Sequence, residues 1–334
     1  MTPQFFRVMI LAMRPAEPDV REYVLDTGVW RALSEQDAER LSEHSAGVRL
    51  TCSAAVPFEL ISGIPPSGDP KLPSEFLKRR AALRRLLKVV PEGSLDLRTP
   101  HELRARSFGV SVGSVGLDFL ILMRVFTQAE TPDEFDLLVS KARSLSKQMP
   151  TPDWLREQAE RVSDTFKAGV AEGAASMKQG TETFLDDSGI VDKDMRKLRR
   201  GYIPYLHHVG DLKRYVLLAV ASAAGVSASP PDSGLWDWRV SEYERLRGMY
   251  DGSIDVYLDA YEKYIENAWN GECAGRNDSF DLDHLVYLRP CDNSQLFVTE
   301  DQKLHDLAAR SLPDRILDLA GFRRAIAQHP TRRN

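Results

Sequence analysis

Acidic side chains stand at four points where the sequence changes character. Asp26 closes the β-rich run Glu22-Tyr23-Val24-Leu25, and a helical pattern through Val29, Trp30 and Leu33 follows it. Glu59 lies in Val56-Pro57-Phe58-Glu59-Leu60-Ile61, a helix-like stretch closed by Gly63. Asp281 sits where the polar turn Asn277-Asp278-Ser279 runs into the helical Phe280-Asp281-Leu282-Asp283-His284-Leu285. Asp301 follows the strand-like Leu296-Phe297-Val298-Thr299-Glu300 and precedes Gln302-Lys303-Leu304. Carboxylates at strand ends and helix starts can converge at the carboxyl edge of a parallel sheet. Grouped carboxylates suit hard divalent cations such as Mg²⁺ and Mn²⁺, which prefer oxygen ligands. Two such ions ~3.5 to 4 Å apart can flank a phosphate, activate water and stabilise a leaving oxygen, chemistry that needs no catalytic His or Cys.

Each acid also has a plainer use. Asp26 could simply cap the helix that follows it, and Asp301 is placed to compensate a helix dipole. Glu59 could face solvent. Asp278 and Asp283 compete with Asp281, because all three fall within one or two helical turns. His284, three residues after Asp281, shares nearly the same helical face and reads as a supporting histidine. The Thr299 hydroxyl can steer a carboxylate or phosphate, or merely pack within its strand.

Elements able to hold such acids occur at both ends of the chain. Beyond the first strand, turn and helix, Val48 to Cys52 has strand character and Ala54 to Ile61 continues as a helix. Pro65 to Pro73 reads as a loop, with Ser74 capping a helix from Glu75 to Val90. That helix is amphipathic and basic: Leu83 and Leu86 share a face, while Arg79, Arg80, Arg84, Arg85 and Lys88 occupy much of the rest. Leu95 to Arg98 is a short strand candidate, and a helix starts at Thr99-Pro100. Residues 109 to 270 read as helical, near 116–129, 133–147, 153–177, 211–224 and 253–268. The aromatic stretch from Trp236 to Trp269 reads as the core of this region, or as a partner-binding groove. Then the α/β idiom returns, with a helix at Phe280 to Leu288, a strand at Gln295 to Thr299, a helix at Gln302 to Ala309 and a strand at Arg315 to Leu319.

Bulk composition narrows the class. A chain of 334 residues allows one large domain or two units, and 43% hydrophobic with 28% charged residues is globular composition. A formal net charge of -5 supplies no overall basic footprint, so phosphate recognition falls to local clusters. Besides the Arg79 to Lys88 helix, Lys193, Arg196, Lys197, Arg199 and Arg200 lie close to Tyr202 and Tyr205, a mixture able to track phosphates and stack bases. Solvated helix faces would look the same. Cys52, Cys273 and Cys291 offer neither a disulfide framework nor zinc spacing. Val8 to Met13 is short for a secretory segment, and Leu117 to Phe126 is interrupted by Asp118 and Arg124. The expectation is a cytoplasmic protein without a membrane span.

In chain order, Tyr23-Val24-Leu25-Asp26-Thr27-Gly28, the helical Glu59, Asp281-Leu282-Asp283-His284-Leu285 and the strand with Thr299-Glu300-Asp301 resemble the four acidic motifs of the PIN domain family. The last two are the more specific. Gly28 departs from the pattern, standing where the family commonly has a hydroxyl or amide residue. The resemblance implies a PIN-like three-layer α/β/α sandwich with a mainly parallel central sheet, formed by residues 20–108 and 271–325, plus a large α-helical insertion at 109–270. It further implies that Asp26, Glu59, Asp281 and Asp301 are both catalytic residues and ligands of Mg²⁺ or Mn²⁺. The activity implied is endonucleolytic cleavage, with RNA the favoured substrate, and the insertion would select substrate or hold a protein inhibitor or partner. Two other readings stay open: a non-catalytic PIN-like interaction scaffold, and the toxin of a toxin–antitoxin pair.

Overall fold

The computed structural model describes residues 20–43, 48–90, 95–96, 98–112, 116–147, 149–187, 189, 191–193, 195, 209–228, 235–275 and 277–328. Its sheet is built around β1 (Arg21–Leu25), whose Tyr23, Val24 and Leu25 are all fully buried. Burial on both faces is what a central strand of a parallel sheet requires, and it explains why these residues form an unbroken apolar run. Strand β2 (Val48–Thr51) pairs with one edge of β1 and β3 (Gln295–Val298) with the other, while β4 (Ile316–Leu317) pairs with β3. The order is β2-β1-β3-β4 and every pairing is parallel. The fold is mixed α/β.

Side chains alternate across the sheet and divide the interior into two cores. Tyr23, Leu25, Leu296 and Val298 enter one. There they meet α1 (Thr27–Ala32), α3 (Ala55–Ser62), α4 (Leu72–Val89), α6 (Gly116–Gln128), α7 (Pro132–Leu145) and α14 (Leu319–Ala327). Val24 and Phe297 enter the other, with α8 (Pro152–Asp187), α9 (Val209–Ala223), α10 (Leu235–Met249), α11 (Asp255–Trp269), α12 (Asp278–Leu285) and α13 (Gln302–Ala309). Helices therefore cover both faces. The segment 109–270 contributes to both cores, α6, α7 and Leu155 of α8 to the first and the rest of α8 with α9 to α11 to the second. Its tyrosines Tyr257, Tyr261 and Tyr264 are buried, which bears out the core reading of that part of the aromatic stretch.

Several boundaries differ from expectation for identifiable reasons. Helix α4 begins at Leu72 with Pro73 in its first turn, where the fixed φ and missing N–H of proline cost nothing; Ser74 is inside the helix and bonds back to the Lys71 carbonyl. Helix α8 continues to Asp187, well past residue 177. Of Leu95 to Arg98, Leu97 is outside the described residues and Asp96 makes only an isolated parallel bridge to Ser53. Helices α2 (Glu35–Glu43), α10 and α14 had no counterpart in the sequence reading. Among the described residues no helix is long and apolar enough to cross a membrane.

Phe297 is fully buried at the centre of the sheet and is the aromatic anchor of the second core. Phe297→Ala is expected to lower unfolding free energy by about 3–5 kcal/mol, the cost of a large-to-small change in a packed core. Urea denaturation monitored by circular dichroism measures it; a loss under about 1 kcal/mol would mean that the sheet does not anchor the α8–α13 layer.

Candidate functional site

Strand register brings the first and last acidic motifs together. Leu25 pairs with Val298, so the next residues, Asp26 and Thr299, leave the sheet side by side. The Asp26 N–H donates to the Val298 carbonyl at 3.1 Å, completing the ladder. The Thr299 hydroxyl donates to Asp26 Oδ2 through a short hydrogen bond, and the Val29 N–H donates to Asp26 Oδ1 at 2.6 Å. Asp26 thus caps α1 while its carboxylate is fixed at the sheet edge. The capping role weighed for it is borne out. Thr299 also accepts from the Asp301 N–H at 3.0 Å, and Asp301 caps α13 by accepting from the Leu304 N–H at 3.0 Å. A side chain at Gly28 would place its Cβ 3.3 Å from Asp26 Oδ1, so the glycine keeps that carboxylate uncrowded.

The other two motifs meet across α3 and α12, which pack together with Phe58 and Phe280 rings 6.1 Å apart. His284, almost wholly buried, lies at their junction. Its Nε2 is 3.4 Å from Glu59 Oε2 and 3.3 Å from the Thr27 hydroxyl, and its Nδ1 is 3.5 Å from the Ser53 hydroxyl. The histidine therefore links α3 and α12 to residues following β1 and β2.

The three competing acids of α12 separate by their partners. Asp283 accepts from Arg104 Nη1 at 2.8 Å, and Arg104 lies over the Tyr257 ring, so this pair ties α12 to α5 (Pro100–Arg106). Asp278 accepts from the Gly275 N–H at 2.7 Å and from Lys303 Nζ at 2.8 Å. The Asp281 carboxylate makes no hydrogen bond or ion pair with any described residue. It is the acid of the three left available.

Charge and burial act jointly on this group. Burial is the main cause that lifts Asp281 to about 7; the negative charges of Asp301, Glu59 and Asp278 add to it and His284 opposes it. Burial likewise raises Asp26, against the hydrogen bonds from Thr299 and Val29. Glu59 goes the other way. Burial pushes it up, but the hydrogen bond and charge of His284, with Thr27 and Arg79, outweigh that and lower it. Burial disfavours the His284 cation, yet Glu59, Asp26 and Asp281 raise its pKa above the ordinary value. Asp281 feels both Glu59 and Asp301, and Asp26 feels Glu59, so all four acids occupy one electrostatic neighbourhood.

Among the described residues no group of three or more His, Cys, Asp or Glu is arranged to hold a metal ion. The donor set does not make an all-protein cage. It does fit a hydrated hard cation, since Mg²⁺ keeps several waters and is commonly bound through one or two carboxylates.

The basic helix is engaged within the chain. Arg79 donates to the Glu59 carbonyl at 3.1 Å and pairs with Glu75; Gly63 makes room for it, as a Cβ there would lie 2.1 Å from Arg79 Nη1. Arg80 and Arg84 donate to the Thr127 carbonyl, and Arg85 to the Arg31 carbonyl and Glu35. These arginines hold α4 against its neighbours. Lys197, Arg199 and Arg200 lie outside the described residues. No family model matches this chain, no curated protein matches its sequence, and no solved structure matches its fold.

Sequence reasoning did not single out Thr27, Ser53 or Lys303 as parts of the site. Thr27 and Lys303 each stand next to or near a named acid in a quoted motif, and that adjacency was a usable signal. Ser53 had none, because it enters only through the fold.

Asp281 has a folded-state pKa near 7 against an unfolded value of ~3.9, so it favours the folded state fully below the unfolded value and loses that contribution as pH rises through about 7. In EDTA, Asp281→Asn is therefore expected to melt above wild type at pH 8, with the gap shrinking toward pH 5. A gap independent of pH, measured by calorimetry, would contradict the assignment.

Proposed function

We propose that this chain is a PIN-like, metal-dependent endoribonuclease whose Asp26, Glu59, Asp281 and Asp301 serve a divalent cation and a phosphodiester. The observation that carries the reading is that Asp26 and Asp301, joined through Thr299 where β1 and β3 end, share one electrostatic neighbourhood with Glu59 of α3 and Asp281 of α12. Support also comes from the order of those motifs, which matches the resemblance in the sequence. RNA as substrate follows from the resemblance alone.

Bound Mg²⁺ or Mn²⁺ would supply activated water and charge stabilisation at the phosphate. Asp281 and Asp301 would hold it by carboxylate oxygens. Thr299 and the Val29 N–H keep Asp26 in a single orientation, so its charge faces the site without reorganisation. His284 restrains Glu59 and offsets part of the negative charge that the neighbouring acids build up.

One observation favours a second reading. With Arg79, Arg80, Arg84 and Arg85 bound to carbonyls and acids of the chain, α4 is not a free phosphate-binding face. A non-catalytic PIN-like scaffold would need none.

Incubating purified full-length protein with mixed RNA and single-stranded DNA, in Mn²⁺ or in EDTA, separates the two. The nuclease reading expects Mn²⁺-dependent RNA cleavage that falls at least ~100-fold in both Asp281→Asn and Asp301→Asn with unchanged circular dichroism. Wild-type rates in both variants would remove the site assignment, and absence of cleavage under every condition would favour the scaffold.

A further inference from the structure

Helix α11, from the segment outside the four acidic motifs, sends Tyr264 to the same neighbourhood. Tyr264 is 3% exposed. Its ring meets Phe166 of α8 edge-on, with centroids 5.1 Å apart, and Lys303 Nζ lies 4.8 Å from its ring centroid. The same ammonium donates to Asp278 Oδ2. The ring is therefore fixed between α8 and the α12–α13 acids, with little freedom to turn its hydroxyl elsewhere.

That hydroxyl is buried and has no hydrogen-bond partner among the described residues. An isolated buried hydroxyl is costly, and native structures rarely keep one without a use. Besides burial, the influences on its ionisation are the charges of Asp278, Asp281 and Asp301, all of which raise its pKa. It stays neutral, with one proton to give and two lone pairs to accept. The acids around it are committed elsewhere in part: Asp278 takes Gly275 and Lys303, and Asp301 takes the Leu304 N–H. A neutral hydroxyl among three carboxylates suits a species that satisfies both, and a hydrated cation does so. It neutralises the acids, and its water is a strong donor to a neutral oxygen.

We propose that the Tyr264 hydroxyl is a positioning group of the acid site, hydrogen-bonded to the hydration shell of a divalent cation carried by Asp281 and Asp301. This rests on the metal-dependent reading above. It also assigns the helical segment a direct part in the site, because α11 supplies the group that orients the hydrated ion. Partners in this outer position commonly affect metal affinity by about 10- to 100-fold.

Isothermal titration of the full chain with Mn²⁺ alone tests it, on wild type, Tyr264→Phe and Tyr261→Phe. Tyr261 is the control, since its hydroxyl lies against Gly169 and none of the site acids acts on it. Tyr264→Phe should bind Mn²⁺ at least ~10-fold more weakly while melting, metal-free, at or above the wild-type temperature, and Tyr261→Phe should bind as wild type does. Wild-type affinity in Tyr264→Phe overturns the proposal, as does a fall in its metal-free melting temperature, which would reveal a partner inside the protein. Failure of wild type itself to bind Mn²⁺ removes the metal reading and this inference with it, a result distinct from loss in the variant alone.

Discussion

Parallel pairing of β1 with β3 fixes where the first and last acidic motifs of this molecule meet. Because Leu25 stands opposite Val298, the residues that follow each strand emerge together, and the Thr299 hydroxyl closes on the Asp26 carboxylate. A slip of one residue would send Val24 and Phe297 to the wrong core and separate that pair. The register is held by burial on both faces, so the same apolar side chains that stabilise the sheet aim the acids. Capping then completes the alignment: Asp26 starts α1 and Asp301 starts α13, each at the end of a strand.

Gathering acids together opposes folding where they are buried, since a buried carboxylate loses water and repels its neighbours. The chain offsets this with cations placed one to an acid. Arg104 pairs with Asp283, Lys303 with Asp278, and His284 lies against Glu59. Among the described residues Asp281, like Asp26 and Asp301, has no such cationic partner, and burial with the surrounding negative charge lifts Asp281 to about 7. The imbalance is local to the position where an added cation would be most favourable. Tyr264 of α11, part of the second core, feels the charges of Asp278, Asp281 and Asp301 as well.

Much of this was legible in the residues. The apolar run Tyr23-Val24-Leu25 and the stretch Leu296-Phe297-Val298 read as strands because parallel strands are buried on both faces, and the turn residues beside them marked the acids. Less legible were features set by tertiary contact. Asp278, Asp281 and Asp283 look alike in sequence; only the positions of Lys303 and Arg104 distinguish them. The arginines of α4 read equally well as a phosphate track or a helix face, and the structure gives them carbonyl partners on α1, α3 and α6. Tyr264 resembled the core tyrosines around it, because period and composition do not record whether a buried hydroxyl has a partner. The polar helix α2 offers only Ala38 and Leu41 to the interior, too few apolar residues to mark it as a packed element.

Whether a divalent ion joins these acids is the claim on which the functional account depends. Crystals of the full chain soaked in Mn²⁺ and recorded at the manganese absorption edge address it without reference to any substrate. The account expects an anomalous peak bound to carboxylate oxygens of Asp281 and Asp301, with Asp26, Glu59 and the Tyr264 hydroxyl around it. A peak elsewhere on the molecule, or none at saturating Mn²⁺, would contradict it.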